Sequence, residues 1–183
     1  MEGRLKKLGA LTEAFSAGRA QDLKRLGNNF IELAAERNDS ALAALSVIAY
    51  ALYKMLSKDH FVKSAQWPVI SRNIRQALGS AEKSLGTGDL QAFGAAAESA
   101  VKDIEGIDFE LSNYARNIYE KARIKQASTA YALGLSLMQA AELTGAGPKE
   151  LQRYIGFTKI HDEQPPHMGI GARMQMLRGM LGK

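Results

Sequence analysis

Lys149, Glu150, Gln152 and Arg153 crowd into little more than one helical turn, and their shared chemistry is hydrogen bonding rather than bond cleavage. A Gln amide can pair with adenine N6 and N7, and an Arg guanidinium with guanine O6 and N7 or with a phosphate. A carboxylate accepts from cytosine N4, and an ammonium suits a phosphate. Ser136 and Gln139 sit earlier, at the expected start of another helix, where side-chain and backbone donors meet phosphate oxygens. Lys121, Arg123 and Lys125 would add non-specific electrostatic grip if their helix runs beside a duplex.

Catalytic constellations are harder to build. None of His60, His161 and His167 has a second His or a carboxylate at i+3 or i+4 on a convincing helix face, so no metal set is expected. No phosphate-binding Gly-Lys loop occurs, and the Gly pairs at Gly86/Gly88 and Gly169/Gly171 follow no strand. The expectation is a non-enzyme without a cofactor.

The elements that must position these residues read as helices throughout. Pro is rare, and no window alternates with period two in β-branched residues. Leu5, Leu8, Leu11, Ala14 and Phe15 form one stripe; after Gly18, Leu23, Leu26, Phe30, Leu33 and Ala34 form a second. Asp39 or Ser40 caps a third helix that is apolar around most of its circumference, from Leu42 to Leu56, as a central helix must be. A fourth starts near Trp67-Pro68, with Trp67 as a packing anchor. A fifth is capped near Asp89 and carries Leu90, Phe93, Ala97 and Val101. From Asp108 a long helix runs to Gly134 and links the bundle to the final elements.

The last helices have sharp local signals. Ser136 followed by Gln139 fits a capping box, Gly145 suits a left-handed turn, and Pro148 fits the first turn of the next helix. Ala141 lets the two helices touch, and Leu151 plugs the space between them. The expected fold is therefore all-α: an N-terminal helical bundle (1–107), a linking helix with a helix-turn-helix (108–160), and a linker with a short tail helix (161–183). The adjacent Pro165 and Pro166 mark that linker.

The stretch Gly134 to Gly156 resembles the helix-turn-helix superfamily of DNA-binding proteins. Gly134-Leu-Ser-Leu137, Ala140-Ala-Glu-Leu143 and Glu150-Leu-x-x-Tyr154 are also similar to patterns in small archaeal transcriptional regulators and antitoxins. The resemblance covers only this short part of the chain. It implies double-stranded DNA as partner and a toxin-like protein held by the C-terminal tail.

Composition is compatible with that. The net charge of +5 suits a polyanion, there is no Cys for disulfides or thiolate metal sites, and no charged-then-apolar leader precedes the helices, so a cytoplasmic location is expected. The uncharged, strongly apolar run from Ser40 to Tyr53 is too short to span a bilayer, so no membrane partner is expected. In the tail, Ile170, Met174, Leu177 and Leu181 share one helical face rich in adaptable Met, suited to a protein groove or to a second copy of the chain. Two functions follow: a DNA-binding regulator, as autorepressor or antitoxin, whose bundle dimerises or senses; or a helical interaction module whose Met-rich tail binds a partner.

Overall fold

The computed structural model describes residues 2–89 and 118–157 and, between them, 92, 93, 95–97, 99, 100 and 102. Among the described residues the regular structure is helical: α1 (Glu2–Ser16), α2 (Ala20–Arg37), α3 (Ser40–Leu56), α4 (Asp59–Val62), α5 (Trp67–Thr87), α6 (Ile118–Ala132), α7 (Leu137–Thr144) and α8 (Pro148–Phe157). Leu90 and Val101 of the expected fifth helix, the start of the linking helix before Ile118, and the tail with Ile170, Met174, Leu177 and Leu181 lie outside these residues.

Helix α3 is the hub. Leu42, Leu45, Val47, Ile48, Leu52 and Met55 are buried on its several faces, so it must be enclosed rather than laid on a surface. Helices α1, α2, α6 and α7 surround it, and α2 makes the most extensive contact. One apolar cluster runs from Leu8 through α3 to Ala141 and Leu151, so the described residues on both sides of the expected boundary at 107/108 share a core. Helix α6 packs against α2, α3, α7 and α8 and belongs to that core as much as it links the two ends of the chain.

Asp39 fixes where α3 begins. Its Oδ1 accepts from the backbone N–H groups of Ala41 and Leu42, both at 3.1 Å, which satisfies two donors with no partner inside the helix. Its Oδ2 accepts from Arg4 Nε at 2.9 Å and Nη2 at 2.7 Å, tying α1 to the same point. Asn38, at φ 50°, takes the left-handed conformation that ends α2 and lets the chain turn at once into α3.

Helix α2 departs from its expected stripe. Its buried face is Leu23, Gly27, Phe30, Ile31, Ala34 and Ala35, while Leu26 and Leu33 are only partly covered. Gly27 is the cause of the rotation. A Cβ there would lie 3.2 Å from the Ser46 carbonyl oxygen and 3.5 Å from the Tyr50 amide nitrogen, so α2 and α3 meet almost backbone to backbone.

The same junction holds Gln126 of α6, which is fully buried with neither Oε1 nor Nε2 hydrogen-bonded. The short α4 has no counterpart in the sequence-based expectation. It is a single turn, packed against α3, that seats Phe61 in the core. Trp67 meets Phe15 edge-on at 6.2 Å, fastening the start of α5 to α1, and Asp89 accepts from Ala92 N–H at 2.9 Å as a cap.

Two stability outcomes follow. Asp39→Ala should lower unfolding free energy by about 2 kcal/mol, mostly through the lost cap, because Arg4 is over a third exposed and its ion pair is screened. Asp39→Asn should lose less than half as much; equal losses in urea titrations would refute the cap's primacy. Gln126→Met should raise the urea midpoint, with a gain of about 1 kcal/mol from removing a buried amide that lacks partners. A drop would mean that the amide is satisfied in solution.

Candidate nucleic-acid interface

Helix α7 starts where two side chains cap each other's backbone. Ser136 Oγ accepts from Gln139 N–H at 3.2 Å and Gln139 Oε1 accepts from Ser136 N–H at 2.9 Å, a complete capping box. Both side chains remain on the surface, so the Ser136 hydroxyl proton and the Gln139 amide protons point to a region open to solvent.

The end of α7 is set by Gly145 at φ 69°, ψ 21°. Ala146 N–H donates to the Ala141 carbonyl at 3.0 Å across this left-handed residue, satisfying one of the helix's last acceptors. Ala140 and Ala141 are buried against the bundle, and Thr144 satisfies its own hydroxyl by donating to the Ala140 carbonyl at 2.9 Å. After Gly145, Ala146 and Gly147, Pro148 opens α8 without forfeiting a needed N–H. Leu151 is completely buried and fixes the inner face of α8 against α6 and α7.

That anchoring decides what α8 presents outward. Lys149, Glu150, Gln152 and Arg153 are all exposed, so the structure gathers these four predicted residues on one solvent-facing surface. Neither Lys149 nor Arg153 enters an ion pair among the described residues. Glu150 folds back toward its own helix start, its carboxylate occupying the space that a side chain at Gly147 would need. There it meets the positive end of the α8 dipole.

The three predicted cations of α6 part company. Lys121 is exposed. Arg123 donates to Glu120 Oε1 at 2.6 Å and lies over the Tyr119 ring at 4.5 Å, and its Nε is 3.7 Å from where a Cβ on Gly145 would be. It braces the turn between α7 and α8. Lys125 is half-buried and turns toward Lys24 of α2 and Lys54 of α3; burial first, and then those two charges, lower its pKa.

Sequence reasoning passed over the group that Lys125 joins. Lys54 Nζ lies 5.4 Å from the Tyr50 ring centroid and 5.3 Å from that of Tyr53, and Lys24 Nζ lies 5.7 Å from the Tyr53 ring. Tyr154, on the inner side of α8, feels Tyr50 and Lys54; burial and Tyr50 push its phenol pKa up against the opposing effect of Lys54. The spacing of Tyr50, Tyr53 and Lys54 on one helix was the available signal, since i, i+3 and i+4 share a face. Phe157, 84% exposed, and Met138, 62% exposed, also escaped notice.

Among the described residues no three His, Asp or Glu side chains gather in a way that could hold a metal, and His60 stacks on Phe61 at 4.5 Å. No described helix is long and apolar enough to cross a membrane. An open depression of about 380 Å³ between α1 and α2 is lined by Glu13, Arg19, Asp22 and Arg25, whose charges already pair with one another. No protein-family model, curated protein or solved structure matches the chain.

Gly145→Ala tests the turn. A Cβ there meets nothing closer than 3.7 Å, so the expected loss of about 1 to 2 kcal/mol comes from forcing a side chain into left-handed backbone. Gly145→Asn should recover part of it in thermal or urea unfolding. Full stability of the Ala variant would contradict the left-handed turn.

Proposed function

We propose that the chain is a non-enzymatic DNA-binding regulator that lays α8 in the major groove, with α7 crossing the backbone beside it. The observation that carries this reading is the outer face of α8. Lys149, Gln152 and Arg153 stand clear of the bundle, while Leu151 holds the opposite face in the core. A helix so anchored presents a bidentate amide and a guanidinium with little orienting cost, which is what base-edge contacts require. The Ser136 and Gln139 end of α7 and the exposed Lys121 supply phosphate contacts, and Arg123 holds the turn between the two helices. In its sharpest form the protein is an autorepressor or antitoxin, acting as a homodimer on paired half-sites, with the C-terminal tail covering a protein partner.

A second reading is favoured by Phe157 and Met138, large apolar side chains left open on α8 and α7. In that reading the same two helices form part of a protein-docking surface, and the tail completes it.

Fluorescence anisotropy with a library-derived duplex separates the two. Lys149→Ala combined with Arg153→Ala should weaken duplex binding at least tenfold and flatten its dependence on salt concentration by about two counterions. Unchanged affinity and salt slope would remove the DNA reading. Loss of a copurifying protein on Phe157→Ser, with no duplex binding by the parent chain, would establish the second.

A further inference from the structure

Lys24, Lys54 and Lys125 come from three different helices: Lys24 and Lys54 lie over a pair of tyrosine rings whose centroids are 5.5 Å apart, and Lys125 is near enough to feel both of their charges. Like charges brought together from distant parts of a chain repel, and folding normally relieves this with a carboxylate. Here none enters. The described ion pairs engage Arg4, Arg19, Arg25, Lys63 and Arg123 with acidic partners elsewhere, and none of the three lysines takes part.

What holds the ammonium groups instead are aromatic faces. The Tyr53 ring has Lys24 on it at 5.7 Å and Lys54 at 5.3 Å, and Tyr50 takes Lys54 at 5.4 Å. A ring quadrupole attracts a cation without cancelling its charge, so the rings fix the positions of the ammonium groups and leave the full positive charge in place. Lys54 also sits in the last turn of α3, where the helix's negative end favours it. Lys125 is partly withdrawn from water and close enough to feel both other lysines; burial first, and then those two charges, lower its pKa. Tyrosine rings, a helix end and neighbouring ammonium groups thus form a concentration of positive charge that pairs with no acidic side chain among the described residues.

We infer that Lys24, Lys54 and Lys125, with Tyr50, Tyr53 and Tyr154 as their frame, form a binding site for a phosphate group. A compact oxyanion with more than one negative charge would offset the three-way repulsion, and its oxygens accept from several ammonium groups at once. The chemistry is shared by two sources: a free phosphorylated small molecule, and a backbone phosphate of a nucleic acid lying against the α2–α3–α6 surface. The site is distinct from the outer face of α8 and does not depend on base reading there. Tyr154 places it on the inner side of the same helix.

The test uses the full chain and two probes, inorganic pyrophosphate in calorimetric titration and a random-sequence duplex in anisotropy. Both are applied to the parent, to Lys24→Gln with Lys54→Gln, and to Lys54→Arg as the charge-keeping control. Far-UV circular dichroism confirms that each variant is folded. If the ligand is a free phosphate ester, the parent binds pyrophosphate saturably in chloride of matched ionic strength. The double Gln variant then binds at least tenfold more weakly, Lys54→Arg stays within threefold of the parent, and duplex affinity does not change. If the phosphate is that of a nucleic acid, pyrophosphate binds negligibly, and the double Gln variant loses at least fivefold in duplex affinity with a shallower salt slope. Parent and double Gln variant behaving alike toward both probes overturns the site. Because Lys149 and Arg153 are intact throughout, that outcome is separable from failure of the α8 reading, which the Lys149→Ala and Arg153→Ala pair reports.

Discussion

Everything in this fold answers to the apolarity of α3. A helix with Leu42, Leu45, Ile48, Leu52 and Met55 distributed around its axis has no side that tolerates water, and fully burying each such side chain is favourable by about 1.5 to 3 kcal/mol. The chain satisfies it by wrapping. Helices α1, α2, α6 and α7 enclose the middle of α3, and α4 turns Phe61 under its C-terminal end. Surrounding one helix with four others demands close approach, which explains the small residues at the contacts: Gly27 on α2, Ala122, Ala127 and Ala130 on α6, and Ala140 and Ala141 on α7. Charged side chains are displaced to the ends of α3, with Asp39 capping one and Lys54 in the last turn of the other.

This constraint divides what could be read from residue order from what could not. The all-round apolar pattern between Ser40 and Leu56, the Asp39 cap, the Trp67-Pro68 start and the Ser136 to Pro148 punctuation are local signals. Each is written within a turn or two of the backbone it governs, and the structure follows them. The exposure of Lys149, Gln152 and Arg153 was nearly as legible, because Leu151 alone decides which side of so short a helix goes inward.

Features that arise only where separate helices meet were not legible. The rotation of α2 about Gly27 depends on how near the backbone of α3 can come, and nothing in the local stripe of Leu26 and Leu33 reports that distance. Gln126 has no local signature of burial; its place at the junction of α2 and α3 is what buries it. The lysine–tyrosine cluster is the extreme case, since its members come from α2, α3, α6 and α8. Only the Tyr50, Tyr53 and Lys54 portion has a signature along the chain. The α4 turn is a smaller example: a single turn around Phe61 has too few residues to display a period.

The distribution of charge carries the functional argument further than its total does. A net charge of +5 says little, because much of the arginine charge is already used within the fold: Arg4 on Asp39, Arg19 and Arg25 around Asp22, and Arg123 on Glu120. Lys149 and Arg153 on the outer face of α8, and Lys54 on the Tyr154 side, enter no ion pair among the described residues. Leu151 and Ile155 seat α8 on the core, with the half-buried Tyr154 beside them, so one contact surface supports both positive regions.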